Sequence, residues 1–217
     1  ALRGVLDQDS LLELSPRWAR NVVTALARLD GRPVGIVANQ PRFLGGVLDA
    51  AGSEKAARFV ALCDSFGLAL IAVVDTPGFM PGSRQERAGV IRHGASLVRA
   101  FAAAGVPKLT VVVRKSYGGA YITMNSRDLG ADLVLAWPDA ELGIMSARAA
   151  VKITGRRRLH AADDPDAELE RMASEYAHEH LLAEAAAASG FVDEIIEPAD
   201  TRQRLASALD TLAGVRR

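Results

Sequence analysis

The chain has 217 residues, of which 49% are hydrophobic and 24% are charged, so it can bury one substantial core or at most two small ones. Its 26 basic and 26 acidic side chains cancel to a formal net charge of +0, which excludes a strong field for nucleic acid or an anionic membrane. The single cysteine, Cys63, excludes an intrachain disulfide and a cysteine-based zinc site. Since no signal peptide or transmembrane-length apolar run is evident, we expect a cytoplasmic location.

The first part of the chain predicts a short helix and a hairpin. An amphipathic segment over residues 2–14 predicts the helix, and Ser15-Pro16 ends it. Two apolar runs over 22–29 and 34–38 flank Asp30-Gly31, a dipeptide typical of tight hairpin turns.

The middle of the chain predicts helices alternating with strands. Ser53 can cap a helix over 54–65, and Gly67 suits the position just past its end. The elements that follow are a strand over 69–74, a turn-rich loop over 75–82, a helix over 88–104 and a strand over 108–113.

The last part continues the alternation. Its predicted elements are a helix over 121–129, strands over 132–136 and 141–145, a helix over 147–153, a polar connection over 155–166, a long helix over 166–188, a short apolar segment over 191–196, and a last helix capped by Asp200 or Thr201 that runs to 212. Strands alternating with helices predict an α/β class. Because hairpin-like pairs precede the helices, we expect successive ββα units within a single domain.

Several common catalytic motifs are missing from the sequence. It has no phosphate-binding loop, dinucleotide fingerprint, zinc-protease motif or serine-hydrolase elbow. His178 and His180 lie two residues apart on a predicted helix and face different ways, which argues against a metal pair. His93 could contact a ligand or serve only the structure. The chemistry is therefore expected to come from the backbone.

One stretch predicts such backbone chemistry. Arg114-Lys-Ser-Tyr-Gly-Gly-Ala-Tyr121 joins a predicted strand to a predicted helix. Gly118 and Gly119 allow a sharp turn and leave the N–H groups at the helix start unobstructed, which suits an anion or a developing oxyanion. Turns over 41–46 and 76–82 also follow strands, where ligands gather in α/β sheets. On the glycines alone, however, a tight junction without a ligand is the more common explanation.

Five motifs then occur in a single order: Gly35-Ile-Val-Ala-Asn-Gln-Pro41, Asp75-Thr-Pro-Gly-Phe-Met-Pro-Gly82, Ile91-Arg-His-Gly-Ala95, Arg114-Lys-Ser-Tyr-Gly-Gly-Ala-Tyr121 and Ala136-Trp-Pro-Asp-Ala-Glu141. Together they resemble the C-terminal half of the carboxyltransferase (β) subunit of biotin-dependent acyl-CoA carboxylases of the propionyl-CoA carboxylase type. The resemblance extends from residue 2 to about residue 212.

The resemblance implies a crotonase-like (ClpP/crotonase) superhelix of ββα units. Residues 1–217 would be the C-terminal, biotin-side domain, and the N-terminal, acyl-CoA-side domain would be absent from this chain. In the family the active site forms between the two kinds of domain in a dimer that commonly assembles further. The implied cofactor is biotin, as carboxybiotin on a carrier protein, with no metal in this domain. The implied partners are acyl-CoA, the biotin carboxyl carrier protein, the biotin carboxylase subunit, the N-terminal half and further copies of the chain.

The resemblance also implies roles for residues near the turn. The backbone N–H groups of Gly119 and Ala120, preceded by Gly118, would form an oxyanion hole for the ureido oxygen of biotin as carboxybiotin loses CO2. The freed biotin nitrogen would take the α-proton of the acyl-CoA, and the N-terminal domain would hold the thioester enolate. No side-chain base is needed. The residues that would bind biotin or substrate are Pro77, Gly78, Phe79, Tyr121 and Ile122.

Ile122 stands where propionyl-CoA enzymes usually have aspartate, which suggests acetyl-CoA or a broader acyl range; the bland alternative is that it only packs the first helical turn. The family also usually has two glycines where this chain has Ser146 and Ala149, an aromatic residue where it has Gly155, and Asn-Pro-Tyr near Leu182. Loss of glycine costs stability wherever the backbone φ is positive. Two alternatives follow: a biotin-dependent decarboxylase or transcarboxylase subunit, and a non-catalytic scaffold that binds biotin or CoA.

Overall fold

The computed structural model describes residues 2–213, which are arranged around one mixed sheet. Its strands are β1 (Leu12–Leu14), β2 (Val22–Leu29), β3 (Arg32–Asn39), β4 (Ala69–Thr76), β5 (Lys108–Tyr117), β6 (Leu133–Ala136), β7 (Glu141–Gly143) and β8 (Glu194–Ile195). Their order is β1-β2-β3-β4-β5-β6-β8, and β7 lies beside β5 off this path.

The helices cover both faces and one end of this sheet. They are α1 (Leu2–Val5), α2 (Ala50–Ser65), α3 (Ser83–Arg87), α4 (Val90–Ala103), α5 (Gly118–Thr123), α6 (Ala147–Thr154), α7 (Arg156–Ala161), α8 (Pro165–His180), α9 (Ala183–Ala188) and α10 (Thr201–Thr211). Short 3-10 turns lie at Leu44–Gly46, Arg127–Leu129 and Pro198–Asp200. No helix within residues 2–213 combines the length and the apolar character needed to span a bilayer.

The hairpin predicted at Asp30-Gly31 is confirmed. Leu29 pairs with Arg32, and Asp30 and Gly31 both have positive φ, 53° and 75°, as a two-residue turn of this type requires. Strands β1, β2 and β3 are antiparallel, whereas the other described pairings in the sheet are parallel. Strand β5 pairs with β6 along its first half and with β7 along its second half.

The core lies on both faces of the sheet, as the apolar run over 69–74 predicted. Leu70, Ala72 and Val74 of β4 pack into the cluster beneath α2 and α4, which includes Phe101. Ile71 points to the opposite face, where α1 and α10 cover a second cluster. Burial on both faces explains why β4 is continuously apolar rather than alternating.

The helix predicted over 2–14 is wrong in its length. It ends at Val5, and Leu12–Leu14 forms the edge strand β1 instead. Asp7 accounts for this break, because its carboxylate accepts hydrogen bonds from the N–H groups of Asp30 and Gly31, at 2.9 and 2.8 Å. The chain is therefore tied to the hairpin turn before a second helical turn can form.

Two helix starts also differ from prediction. Asp49, not Ser53, caps α2, since its carboxylate accepts from the N–H of Gly52 at 2.7 Å while Ser53 is fully buried in the first turn. The helix predicted from residue 88 begins at Val90, because Gly89 adopts φ +79° and separates it from the short helix α3.

The strand predicted over 108–113 is longer and runs through Tyr117. The helix predicted over 121–129 begins earlier, at Gly118, and ends at Thr123. Asn125 follows with φ +61°, fully buried, and its amide donates to the Thr110 hydroxyl at 2.8 Å. This buried contact ends the helix by holding Asn125 in a left-handed conformation.

The C-terminal segment differs most from the prediction. The polar connection predicted over 155–166 contains helix α7, and the long helix predicted over 166–188 is two helices, α8 and α9. The break arises at Leu181 and Leu182: the Leu181 carbonyl accepts from the N–H of Leu142 at 2.7 Å, and Leu182 forms a bridge with Glu141. Pairing with β7 thus overrides the helical preference of an alanine-rich sequence.

Candidate active-site turn

Strand β5 passes directly into helix α5 through a turn that only glycine fits. Tyr117 is extended, with φ −112° and ψ 149°, and Gly118 follows with φ +61°. A Cβ on Gly118 would also lie 3.3 Å from the carbonyl oxygen of Ile144. The sharp glycine turn expected here is therefore present, and it places Gly119 and Ala120 at the start of α5.

The N–H groups of Gly119 and Ala120 lie at this helix start. Neither donates a hydrogen bond to any residue across the described part of the chain, as expected for the first turn of a helix. Gly119 is exposed, and Ala120 is buried directly after it. N–H groups at a helix start can bind an acceptor that does not belong to the helix, such as a ligand oxygen.

Thr123 orients one of these donors, a role that the sequence did not suggest. Its hydroxyl donates to the carbonyl oxygen of Gly119 at 2.8 Å. That carbonyl belongs to the same planar, trans peptide as the N–H of Ala120. Because the two bonds point in opposite directions, holding the carbonyl also fixes the direction of the N–H. A threonine four residues after a turn glycine is the signal that could have indicated this contact.

The ring of Phe79 lies between α4 and α5. A Cβ on Gly94 of α4 would stand 3.0 Å from Cζ of this ring, and a Cβ on Gly119 would stand 3.4 Å from Cδ2. The two glycines thus contact the ring from two helices. Phe79 therefore lies next to the proposed oxyanion hole, where the resemblance implied a binding residue.

An apolar groove opens beside Gly119. The side chains and backbone that line it are those of Phe79, Val90, Ile91, Gly94, Ala95, Val98, Gly119, Ile122 and Thr123. Its exposed large apolar side chains are Ile91 and Ile122, at 81% and 44%. The structure thus brings together Gly119, Phe79 and Ile122, three of the residues singled out from the sequence.

Pro77 and Gly78 form the loop that carries Phe79. Pro77 is exposed, whereas Gly78 is buried with φ +132°. The Thr76 hydroxyl donates to the Gly78 carbonyl at 3.2 Å and accepts from its N–H at 3.3 Å, and the N–H of Leu48 donates to the same carbonyl at 2.9 Å. A Cβ on Gly78 would lie 3.8 Å from the carbonyl oxygen of Tyr117. This loop is held against the turn.

Tyr121 does not line the groove. Its ring packs edge-to-face against Phe191, with centroids 6.1 Å apart, and its hydroxyl is buried without a partner among the described residues. Burial, with a smaller contribution from Asp128, raises the pKa of the phenol to about 12. Tyr121 is therefore neutral and lies on the core side of α5.

A polar cluster ties together the ends of the three strands that precede the loops. Asp75 receives two hydrogen bonds of 3.1 Å from Nε of Arg114 and an ion pair of 2.9 Å from its Nη2. The Asn39 side chain accepts from the N–H of Asp75 and donates to the Gly46 carbonyl, each at 3.2 Å. A Cβ on Gly46, where φ is +80°, would lie 2.4 Å from the carbonyl oxygen of Asp75.

The histidines lie outside this arrangement. His178 and His180 are exposed on the last turn of α8, and the ring of His93 contacts the Arg92 guanidinium at 3.4 Å. His93 does not line the groove. In the part of the chain that the structure describes, no three His, Cys, Asp or Glu side chains come together as a metal site.

The departures at Ser146, Ala149 and Gly155 are accommodated without a left-handed backbone. Ser146 has φ −63° and precedes α6, and Ala149 lies within α6. The condition for a stability cost, positive φ, is therefore not met at either residue. At Gly155, a Cβ would lie 2.6 Å from Cε of Met172, so the methionine side chain occupies the space that a larger residue would need.

The turn and the groove together suit one kind of ligand. Two N–H groups without acceptors can hydrogen-bond a polarised carbonyl or ureido oxygen. The groove beside them can bury an apolar ring or chain attached to that oxygen-bearing group. The bicyclic ring of biotin has this combination of a ureido oxygen and an apolar body, so the residues present fit it.

The chain is similar over its length to known proteins. The sequence model of the family described as "Carboxyl transferase domain" matches residues 1–217. The 12S subunit of methylmalonyl-CoA carboxyltransferase from Propionibacterium freudenreichii subsp. shermanii is 51% identical over 209 residues, which cover 96% of this chain and 40% of that protein. The carboxyltransferase subunit of propionyl-CoA carboxylase from Haloferax mediterranei is 50% identical over 216 residues, with 100% and 42% coverage.

Among solved structures, the chain is similar to the transcarboxylase 12S subunit, crystallised as a hexamer with methylmalonyl-coenzyme A and methylmalonic acid bound. The TM-score is 0.94 at 50% sequence identity, over 100% of this chain and 42% of that one. The chain thus spans about two fifths of the length of the relatives that it matches.

Proposed function

Because the chain belongs to the carboxyl transferase domain family, we propose that it forms the biotin side of an acyl-CoA carboxyltransferase. In this proposal the carboxyl group passes from carboxybiotin to the α-carbon of a short acyl-CoA. The family membership and the crotonase-like α/β fold predicted from the sequence are both confirmed by the comparisons. The residue roles below are proposals that the geometry supports.

The observation that carries the proposal is the pair of N–H groups without acceptors beside an apolar groove. Gly119 is exposed, and Ala120 directly after it is buried. A preorganised donor that stabilises a developing oxyanion is worth roughly 3 kcal/mol. Gly118 contributes through its conformation, since its φ of +61° is what directs the chain from β5 into α5.

Bound biotin would supply the transferable carboxyl group and, once it has lost that group, a ureido nitrogen able to accept a proton. The residues of this chain hold and shield it. The N–H groups of Gly119 and Ala120 bind the ureido oxygen, Thr123 keeps the Ala120 N–H directed outwards, and the Phe79 ring excludes water from one side. No histidine or carboxylate lines the groove, so no side chain of this groove serves as a base.

The acyl-CoA and the second oxyanion hole would come from an acyl-CoA-side domain, the N-terminal half in the family. The further proposed partners are the biotin carboxyl carrier protein, the biotin carboxylase subunit and additional copies of the chain. The similar 12S subunit was crystallised as a hexamer, which supports assembly in this proposal.

Ile122 is proposed to influence the choice of acyl chain. It lies 44% exposed on the rim of the groove, three residues after Gly119. Since an apolar rim favours an apolar acyl group, Ile122→Asp is expected to change the ratio of rates with acetyl-CoA and propionyl-CoA. An unchanged ratio would leave Ile122 with a packing role only.

The decisive assay is decarboxylation of malonyl-CoA in the presence of free biotin. We expect no turnover by the chain alone and turnover when a candidate acyl-CoA-side half is added, because each domain supplies one oxyanion hole. In a second assay with carboxybiotin and an acyl-CoA, failure to form the carboxylated acyl-CoA would support a decarboxylase subunit instead. Retained biotin binding without turnover in either mixture would support a non-catalytic scaffold.

A further inference from the structure

We propose that Phe79 is a positioning residue for Gly119: its ring, held between Gly94 and Gly119, sets where the N–H of Gly119 stands. The inference rests on the proposed function, because that N–H matters for turnover only if it binds the reacting oxygen. Its structural part, the coupling of Gly94 to Gly119 through a ring, stands independently and can be measured without any substrate.

The contacts on the two sides of the ring carry the inference. On one side, a Cβ on Gly94 would lie 3.0 and 3.1 Å from Cζ and Cε1. On the other, a Cβ on Gly119 would lie 3.4 and 3.5 Å from Cδ2 and Cε2. The ring thus fills the space between α4 and α5 with no room for one additional methyl group on the Gly94 side.

The identity of Gly94 supports this inference. The residue is buried in the first half of α4, where glycine costs about 1 kcal/mol relative to alanine in a helix. Its φ is not in the positive range, so the backbone of α4 does not require glycine there. The close approach of the Phe79 ring is the feature that does require it.

The ring is anchored from its other end as well. Phe79 forms a bridge with Leu48, and the N–H of Met80 donates to the Leu48 carbonyl at 2.7 Å. Because the backbone of the loop is held in this way, a methyl group on Gly94 displaces the ring towards Gly119 rather than displacing the loop. Displacement is then transmitted to the start of α5.

The test compares Gly94→Ala, Phe79→Leu and the double variant. Gly4→Ala is the matched control, since Gly4 is an exposed helical glycine at which an added Cβ would have no heavy atom within 4 Å. In amide NMR spectra of the free chain, we expect Gly94→Ala to shift the Gly119 resonance of the parent chain, and to shift it much less when it is added to Phe79→Leu, because leucine leaves room for the added methyl group. Gly4→Ala should leave it unchanged.

An unshifted Gly119 resonance in a folded Gly94→Ala chain would overturn the coupling. If Gly94→Ala alone does not fold, the double variant decides: it should fold, because leucine leaves room for the methyl group. A double variant that also fails to fold would overturn the coupling.

The catalytic part is tested in the decarboxylation assay with the acyl-CoA-side half present. Since a misplacement of about 1 Å can cost 10²-fold, a shift of a few tenths of an ångström in Gly94→Ala is expected to lower kcat by about tenfold. The KM for malonyl-CoA should change little, and the double variant should be no slower than Phe79→Leu alone, because without the ring the added methyl group no longer displaces Gly119. Additive losses would refute positioning by Phe79. If the parent chain is inactive but the NMR spectra show that Gly94 is coupled to Gly119 through the ring, the proposed function alone is refuted.

Discussion

Two regions of the molecule are held together in different ways. The strand-end region comprises the ends of β3, β4 and β5 with the loops that follow them, and the helical arm comprises α6 to α8, residues 147–180. In the strand-end region, a Cβ on Gly46 would meet the backbone carbonyl of Asp75 at 2.4 Å. In the helical arm, a Cβ on Gly155 would meet the flexible tip of Met172 at 2.6 Å, and its nearest backbone atom, the carbonyl oxygen of Val151, would lie farther away, at 3.0 Å. Backbone cannot move aside, whereas a methionine side chain can.

The two regions also differ in how exposed the side chains of their ion pairs are. Asp75, paired with Arg114, has a side chain only 12% exposed. One ion pair of the helical arm, between Arg148 and Glu170, joins side chains that are 63% and 58% exposed. The residues that depart from the family pattern, Ser146, Ala149 and Gly155, also lie in or next to the arm. The molecule therefore combines a closely packed strand-end region with a more accommodating helical arm.

The largest effect is expected at Gly46. Gly46→Ala should lower the free energy of unfolding by about 3–5 kcal/mol, because it adds both a backbone clash and a positive φ. Urea unfolding followed by circular dichroism gives this value. Gly45→Ala is the matched control, with φ +64° and open space around the Cβ, and should cost only about 1 kcal/mol. If the two variants lose equal free energy of unfolding, the contact with the Asp75 backbone does not explain the effect at Gly46.

The next effect concerns the ion pair of the strand-end region. Asp75→Asn keeps the shape but removes the charge that Arg114 faces, and should cost about 1–2 kcal/mol because Arg114 is itself partly exposed. The same unfolding experiment measures it. A stability equal to that of the parent chain would show that this cluster does not hold the strand ends.

A smaller effect is expected in the helical arm at Gly155. Gly155→Ala should change the free energy of unfolding by less than about 1 kcal/mol, because the side chain of Met172 can rotate away from the new methyl group. If this variant loses as much stability as Gly46→Ala, the two regions are equally rigid and the contrast between them fails.

The smallest effect is a response of the arm to acid. The hydrogen bond from Arg171 is the main cause that holds the pKa of Glu168 below its ordinary value of 4.5, and Arg158 adds to it. The stability from a lowered carboxylate pKa is present above the ordinary value and is lost as the pH falls through the lowered one. As the pH falls below 4.5, the amide groups of α8 should therefore lose their protection against hydrogen exchange before those of β4 and β5. Simultaneous loss of protection would show that the arm is not the weaker region.

The strand-end region was also the better predicted from the sequence. Its strand β4 and its glycine turn follow from local signals, which are an apolar run and the pair Gly118 and Gly119. The hairpin at the opposite end of β3 follows likewise from Asp30-Gly31. The arm was predicted poorly, because pairing of Leu181 and Leu182 with β7 is a tertiary contact that no local pattern reports. Thr123 and Gly94 were missed for the same reason, since their importance depends on a peptide plane and a ring brought together only by folding.

The central claim is that Gly119 and Ala120 bind the ureido oxygen of biotin, and a titration of the chain with free biotin followed by amide NMR tests it most directly. We predict that the amide resonances of Gly119 and Ala120 shift furthest, because hydrogen bonding to the ureido oxygen acts on those two N–H groups. The Tyr121 side chain should be affected little, since it lies on the core side of α5. Saturable binding that leaves the Gly119 and Ala120 resonances unchanged would contradict the account.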